Sequence, residues 1–251
     1  MAGFFTTIIY QPIFNAFVGL YNLVGDVGIV IILLTIIVQL ILYPLNTKSI
    51  QAQKALADMQ PKLDKLKKEF KDDQQKLATE TMKLYKEHKI NPFGSCLPIL
   101  IQIPVFLGLF YVLKGAFASN SFELLYPFIH SPGSINPVSL NIFDLSKASV
   151  VLAILAGGAQ FIQTKMLSTK RPPVQAGGGA KDESVAAMMN KQMLYMMPIL
   201  TVLIGMKFPA GVTLYWFFRT LLAAGQQWIL FRKNGKNGPK DGDVIEGKIV
   251  S

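Results

Sequence analysis

The sequence predicts an all-α, polytopic membrane protein, with five transmembrane helices and a cytoplasmic helical hairpin between the first two. Three observations carry that class. Of the 251 residues 51% are hydrophobic, and they collect in long blocks with the charges gathered between them, which is a membrane composition rather than a soluble one. Basic residues fill alternate loops, as five crossings require. A polar stretch, Thr47 to His88, repeats apolar residues at three- and four-residue spacing, the period of an amphipathic helix.

Residues 1–26 form the first element. GFFTTIIYQPIFNAFVGLYNLVG lacks the basic n-region of a signal peptide, and Gln11, Pro12, Asn15 and Asn22 interrupt it. It is expected as an amphipathic helix on the outer surface; a sixth span is the alternative. Residues 27–46 hold the first transmembrane helix, with Val27 to Leu45 as its apolar run. Residues 47–91 form the hairpin. Leu56, Met59, Leu63, Leu66 and Phe70 line one arm, Leu77, Leu84 and Tyr85 the other, and the turn falls near Asp72 and Asp73. Pro61 is expected to kink or break the first arm. Residues 92–231 carry the other four spans: Cys96 to Leu113, Ala148 to Thr164, Met193 to Met206 extended by the AAMMNKQ before it, and Ala210 to Phe231. Most fall short of the roughly 20 residues a bilayer asks for, so they thin the membrane or shelter in a bundle. STKRPPVQAGGGAKDES reads as a flexible loop, and residues 232–251 as a disordered basic cytoplasmic tail. That tail suits ribosomal RNA phosphates or only a topology-fixing flank.

No Lys or Arg precedes Lys48, whereas Asn46 to Pro92 holds eleven Lys. Between Gly115 and Lys147 the single basic residue is Lys147, while Lys170, Arg171, Lys181 and Lys191 follow the third span. The positive-inside rule puts the N-terminus outside and the C-terminus in the cytoplasm. The formal charge of +10 suits an anionic partner: lipid headgroups, nucleic acid or an acidic peptide. The hairpin, eleven Lys less seven acids, is +4, and reads either as a solvated arm or as a mobile paddle for headgroups or an incoming chain.

Enzyme chemistry is not written in the chain. Cys96 is alone, which excludes an intramolecular disulfide, and His88 and His130 stand near no metal constellation. The glycines of QAGGGAK lack the Lys-Ser/Thr of a phosphate loop, and no nucleophile–base set or intramembrane carboxylate pair is suggested. No cofactor, metal or small-molecule substrate is expected. The spans carry neutral amides instead, Gln39, Gln102, Gln160 and Gln163, with Thr35, Thr201 and Thr213. Thr35 and Gln39 share a helical face, as do Gln160 and Gln163. Taken singly, each amide reads as interhelical hydrogen bonding, about 0.6 kcal/mol on average. Pro98, Pro104 and Pro198 free backbone carbonyls inside spans, and these need a neighbour or water. Prolines, amides and short spans together point to a bundle with a hydrated recess.

INPFGSCLPILIQIPVFLGLFYVL, MQPKLDKLKKEFKDDQQKL and FPAGVTLYW occur in the order and spacing of the YidC/Oxa/Alb membrane insertase family, which the chain resembles from about Val27 to Arg232, as a short member without a large periplasmic domain. The resemblance implies a bacterial plasma-membrane insertase and chaperone, acting alone or with the Sec translocon, the ribosome and the signal recognition machinery on nascent membrane proteins. Five helices would enclose a hydrophilic groove, open to cytoplasm and lipid. The groove residues carried over are Gln39, Thr35, Gln102 and Gln163, and the apolar substrate slide is Ile103, Phe106, Tyr215 and Trp216. Gln39 departs from the pattern, which has arginine there. A glutamine hydrates and donates but attracts no carboxylate; Lys165, at the cytoplasmic end of its span, and Arg219 are the candidate charges. The competing classes are a scaffold that docks ribosomes or Sec subunits and a small channel or transporter, which would need inverted repeats.

Overall fold

The computed structural model describes residues 2–71, 73–88, 97–117, 122–167 and 185–237. Asp72, Cys96, the 168–184 loop and the tail from 238 lie outside the described residues. A helix Ala2–Phe5 (α1) passes through a π-helical turn, Thr6–Tyr10, into α2, Gln11–Val24. Gly25, at φ 74°, ends α2 in the left-handed region, and Asp26 caps α3, Val27–Ile41. There follow α4, Tyr43–Glu69, and α5, Gln74–Glu87; then α6, Leu97–Phe117; a short hairpin of β1, Val138–Ser139, and β2, Phe143–Asp144; and α7, Val150–Leu167, α8, Val185–Gly205, and α9, Ala210–Asn237. The strands are antiparallel, pairing Val138 with Asp144 and Ser139 with Phe143.

Among the described residues three helices are long and apolar enough to cross a membrane: Gly3–Val24, Leu100–Phe117 and Val150–Leu167. The α3–α4 pair, bent by 70°, adds a fourth if taken as one broken span, and Leu194–Gly205 is a shorter apolar helix. The apolar run of α9 is interrupted by Arg219, Gln226 and Gln227.

Two expected boundaries move. The first apolar run was expected to reach Leu45, but α3 stops at Ile41, and the chain turns at Leu42 into α4. The cause is Pro44: it has no N–H for the Leu40 carbonyl four residues back, and its ring crowds that carbonyl, whereas in the first turn of the next helix the missing N–H is not needed. Pro61 was expected to kink the first arm or mark a break; the break does not occur, and α4 runs through Pro61 as one helix to Glu69. Met59 and Leu63 on either side are buried, so packing outweighs the proline's cost. Asp73 caps α5 by accepting from Lys76 N at 2.9 Å, and Lys62 Nζ reaches His88 Nε2 at 2.7 Å, tying the two arms.

The hydrophobic core occupies one half of the bundle. Phe14, Phe17 and Val18 of α2 meet Val27, Val30, Ile31 and Leu34 of α3, Leu109, Val112, Leu113 and Ala116 of α6, Ile135 and Leu145 of the intervening loop, and Ala210 and Val212 of α9. These are the early turns of α3 and α9 and the late turns of α6, the end remote from the α4–α5 hairpin.

Candidate functional site

The other half is joined by polar groups, and α9 carries most of them. Tyr215, Arg219 and Gln226 are four and eleven residues along from the first, so they fall within about 40° of one another on one helical face. That face meets α3, α4 and α6. Gln102 of α6 donates from Nε2 to Tyr215 Oη at 2.6 Å. Gln39 of α3 donates from Nε2 to the Arg219 carbonyl at 3.2 Å and accepts from Asn46 Nδ2 at 2.8 Å. Gln226 donates to Tyr43 O at 3.1 Å and to Thr47 Oγ1 at 2.8 Å. On the side toward α7, Gln227 donates to the Gln163 carbonyl at 3.3 Å while its buried Oε1 has no partner. The seam runs roughly 16 Å along α9, at about 1.5 Å per residue.

Arg219 is the one full charge between Tyr215 and Gln226. Its Nε is buried without a hydrogen-bond partner, and among the described residues no ion pair is formed to it. No Asp or Glu occurs within α3, α6, α7, α8 or α9, so the bundle supplies no counter-charge. Lys165 lies apart, at the end of α7, with its Nζ over the Phe161 ring at 5.9 Å.

The expected site residues divide. Gln39, Gln102 and Tyr215 join the seam; the position of Gln163 joins it through its backbone. Thr35 shares the face of Gln39 but is fully buried, its hydroxyl donating to Ile31 O at 2.6 Å, so it offers nothing to a ligand. Tyr215, expected on the apolar slide, is 3% exposed and turned inward to Gln102. Trp216, about 100° further round the helix, meets Phe106 edge-on at 5.8 Å, and Phe106 also meets Phe208 at 5.6 Å. Ile103, 51% exposed, stands with Leu100, Leu107 and Tyr111 on the open face of α6. Gln160 binds Thr201 at 2.7 Å, joining α7 to α8. Asn46, Thr47, Gln226 and Gln227 were missed from sequence. The adjacent amides of AAGQQWIL in an apolar run were the available signal.

The half occupied by the hydrophobic core is closed. The first N–H groups of α9 donate to the loop before α7, Ala210 N to Lys147 O at 2.7 Å and Gly211 N to Leu145 O at 2.9 Å. A Cβ on Gly211 would stand 3.0 Å from Leu113 Cδ1 and 3.2 Å from Ile31 Cδ1, so a side chain there would push on both neighbours where the three helices approach. Asp26 clamps the β-hairpin to α3: Ser139 Oγ donates to it at 2.7 Å and Leu140 N at 2.6 Å. Desolvation raises the Asp26 pKa, but those donors and the Ile29 and Gly28 N–H groups outweigh it, and the net shift is downward. Asn15 ties α2 to the same loop, donating to Leu124 O at 3.0 Å and accepting from Tyr126 N at 2.6 Å. Among the described residues no three His, Cys, Asp or Glu side chains gather to hold a metal ion.

Comparison with known proteins follows this geometry. The family model for the 60Kd inner membrane protein matches residues 19–237. Membrane protein insertase YidC of Lawsonia intracellularis is 33% identical over 231 residues, covering 90% of this chain and 39% of the relative. The protein of the same name from Methylobacillus flagellatus is 36% identical over 236 residues, covering 93% and 38%. That from Ectopseudomonas mendocina is 37% identical over 229 residues, covering 91% and 35%. The chain thus spans roughly two fifths of the length of these relatives. A crystal structure described as an active YidC insertase with the first transmembrane domain resolved superposes with a TM-score of 0.53 at 25% identity, over 86% of this chain and 45% of that one.

Proposed function

Because this chain belongs to the 60Kd inner membrane protein family, we propose that it is a membrane protein insertase and chaperone that works without making or breaking covalent bonds. The observation that carries the reading is the division of the bundle into a dry, closed half and a half joined by amides, a phenol and an unpaired arginine. A translocating tail needs polar groups partway into the bilayer and a barrier beyond them; this arrangement supports both. Hydrated amides shorten the hydrocarbon path for the tail, and the apolar face of exposed Ile103 with half-buried Phe106 and Trp216 receives the emerging segment into lipid. Gln39 holds the place where the resembled pattern has arginine. Arg219, whose own carbonyl binds Gln39, brings a cation to the same seam from α9.

In the proposed topology α3, α6, α7, α8 and α9 cross the membrane and α4–α5 lies in the cytoplasm, with the N-terminus outside and the C-terminus inside. The eleven Lys between Asn46 and Pro92 support it. The bonds from Asn15 and Asn22 to Leu124 O and His130 O support placing residues 1–26 on the outer surface, against the loop before α7. The substrates proposed are nascent membrane proteins; the Sec translocon, the ribosome and the signal recognition machinery are proposed partners for the basic hairpin and tail. A transporter reading would need a path through both halves, and the Gly211 closure opposes it.

The test is insertion of a single-span substrate into liposomes holding only this protein. Gln39→Leu removes two interhelical or near-helix hydrogen bonds worth about 0.6 kcal/mol each, and should slow insertion by about three- to tenfold. An unchanged rate would remove Gln39 from the mechanism; no insertion by the unaltered protein would remove the function.

A further inference from the structure

At the end of the bundle remote from the hairpin lies a cavity of about 470 Å³, within the usual range of about 300–1,000 Å³ for small-ligand sites. Its lining joins two unlike chemistries. Phe110 and Phe117 of α6, with Phe208 and Pro209 from the α8–α9 turn, make an apolar wall; Lys114, Lys207 and Ser146 stand in it. The wall is locked, since Phe208 meets Phe110 edge-on at 5.5 Å and Phe106 at 5.6 Å.

The two lysines come from separate elements and converge on one cavity. Among the described residues neither forms an ion pair. The nearby carboxylate does not answer them. Asp144 accepts from Ser146 Oγ at 2.5 Å and Ser146 N at 3.0 Å, and pairs with Lys147 Nζ at 2.9 Å. Ser146 has therefore already donated its hydroxyl proton, and toward the cavity its oxygen only accepts. The site offers two cations, one acceptor and an aromatic wall, at the level where apolar spans end.

We propose that this cavity binds an anionic phospholipid whose headgroup carries a hydroxyl. Lys114 and Lys207 hold the phosphate, Ser146 Oγ accepts the headgroup hydroxyl, and Phe110, Phe117 and Phe208 cover the first carbons of an acyl chain. A bare phosphate satisfies the lysines and leaves the apolar wall empty. The proposal rests on the membrane-embedded reading of the chain but not on insertion activity.

The test uses the full chain in uncharged detergent, with thermal unfolding followed against added phosphatidylglycerol, phosphatidylcholine or inorganic phosphate. Phosphatidylglycerol should raise Tm saturably and phosphatidylcholine should not. The double variant Lys114→Gln/Lys207→Gln should need about tenfold more phosphatidylglycerol or beyond for half the effect, with its lipid-free Tm unchanged. Lys65→Gln/Lys67→Gln in the hairpin should respond like the unaltered chain. Equal half-saturation in the Lys114/Lys207 variant overturns the site. An equal shift with inorganic phosphate overturns the lipid in favour of a free anion. Should the double variant fail to fold, a diazirine-bearing phosphatidylglycerol decides on the unaltered chain: adducts on 110–117 or 207–209 support the site, and their absence there overturns it.

Discussion

Replacing Arg219 by Met should make the protein more stable and less able to insert acidic tails. In the proposed topology Arg219, nine residues after Ala210 and about 14 Å along α9, falls near the middle of a hydrocarbon core about 30 Å thick. Its Nε is buried without a partner, and an unmet donor costs about 1–3 kcal/mol. Methionine keeps an unbranched stem, two heavy atoms shorter, and removes that cost, so stability should rise by a similar amount. Activity should move the other way. A substrate carboxylate about 4 Å from the guanidinium gains roughly 1 kcal/mol in fully wet surroundings and about 4 kcal/mol at an effective dielectric of 20. Loss of the charge should therefore slow an acidic tail at least about fivefold. The assay compares liposome insertion of matched substrates whose tails differ only by Asp against Asn, scored by protease protection, beside denaturant titrations of both proteins. The neutral tail should change less than about twofold. Equal slowing of both tails, or a loss of stability in Arg219→Met, would refute the reasoning, since either result makes the arginine a packing element.

Three further outcomes follow from particular contacts. Gly157→Val should destabilise by about 1–3 kcal/mol, because a Cβ there collides with Val202 and stands 3.0 Å from Pro198 O; Gly158→Ala, with nothing within 4 Å, should be neutral or slightly stabilising in the same denaturant titration. Asp144, held down to about 2 chiefly by the Ser146 hydroxyl and then by Lys147, contributes stability above the ordinary carboxylate pKa and loses it as pH falls from 3.8 toward 2. The Tm difference between the unaltered chain and Asp144→Asn should be constant above about pH 5 and vanish only about a pH unit below the lower value. Gln226→Leu, which removes the bonds to Tyr43 O and Thr47 Oγ1, should cost about 1 kcal/mol and should increase hydrogen exchange at the first turn of α4.

Apolar blocks and helical periodicity made the helices legible, because both depend on short sequence windows. Boundaries were less so. The apolar run continues to Leu45, and only the donor that Pro44 lacks, four residues on from Leu40, ends α3 at Ile41. Pro61 shows the opposite case: of the kink or break that a local rule forecast, the break does not occur where Met59 and Leu63 pack on either side. The amides within single spans were visible as oddities, and Gln39 and Gln102 do lie on one seam. Their partners were not visible, because Arg219 O and Tyr215 Oη belong to a helix more than a hundred residues away. Thr35 illustrates the limit of reasoning from a shared face. Its hydroxyl finds a carbonyl four residues back in its own helix, so the face it shares with Gln39 changes from dry to polar within one turn.

That change marks the level at which the bundle divides, and the two halves need different sequences for physical reasons. The closed half must bring three helices together without water, which the missing side chain of Gly211 and the large buried residues of α2, α3 and α6 favour. The loop before α7 completes it by accepting the N–H groups at the start of α9, groups that would otherwise be exposed at a helix end. The polar half must not close so tightly. On the proposed function an apolar seam there would exclude water and a tail alike, whereas long amides hold α9 to α3, α4 and α6 through bonds that water or a polar backbone can replace at little cost. A half-satisfied seam in a soluble core would be a defect. Among the described residues three buried side-chain atoms are unmet, Asp64 Oδ1 on α4 and, on the polar side of α9, Arg219 Nε and Gln227 Oε1; in the proposed function the two on α9 take their partner from outside the bundle.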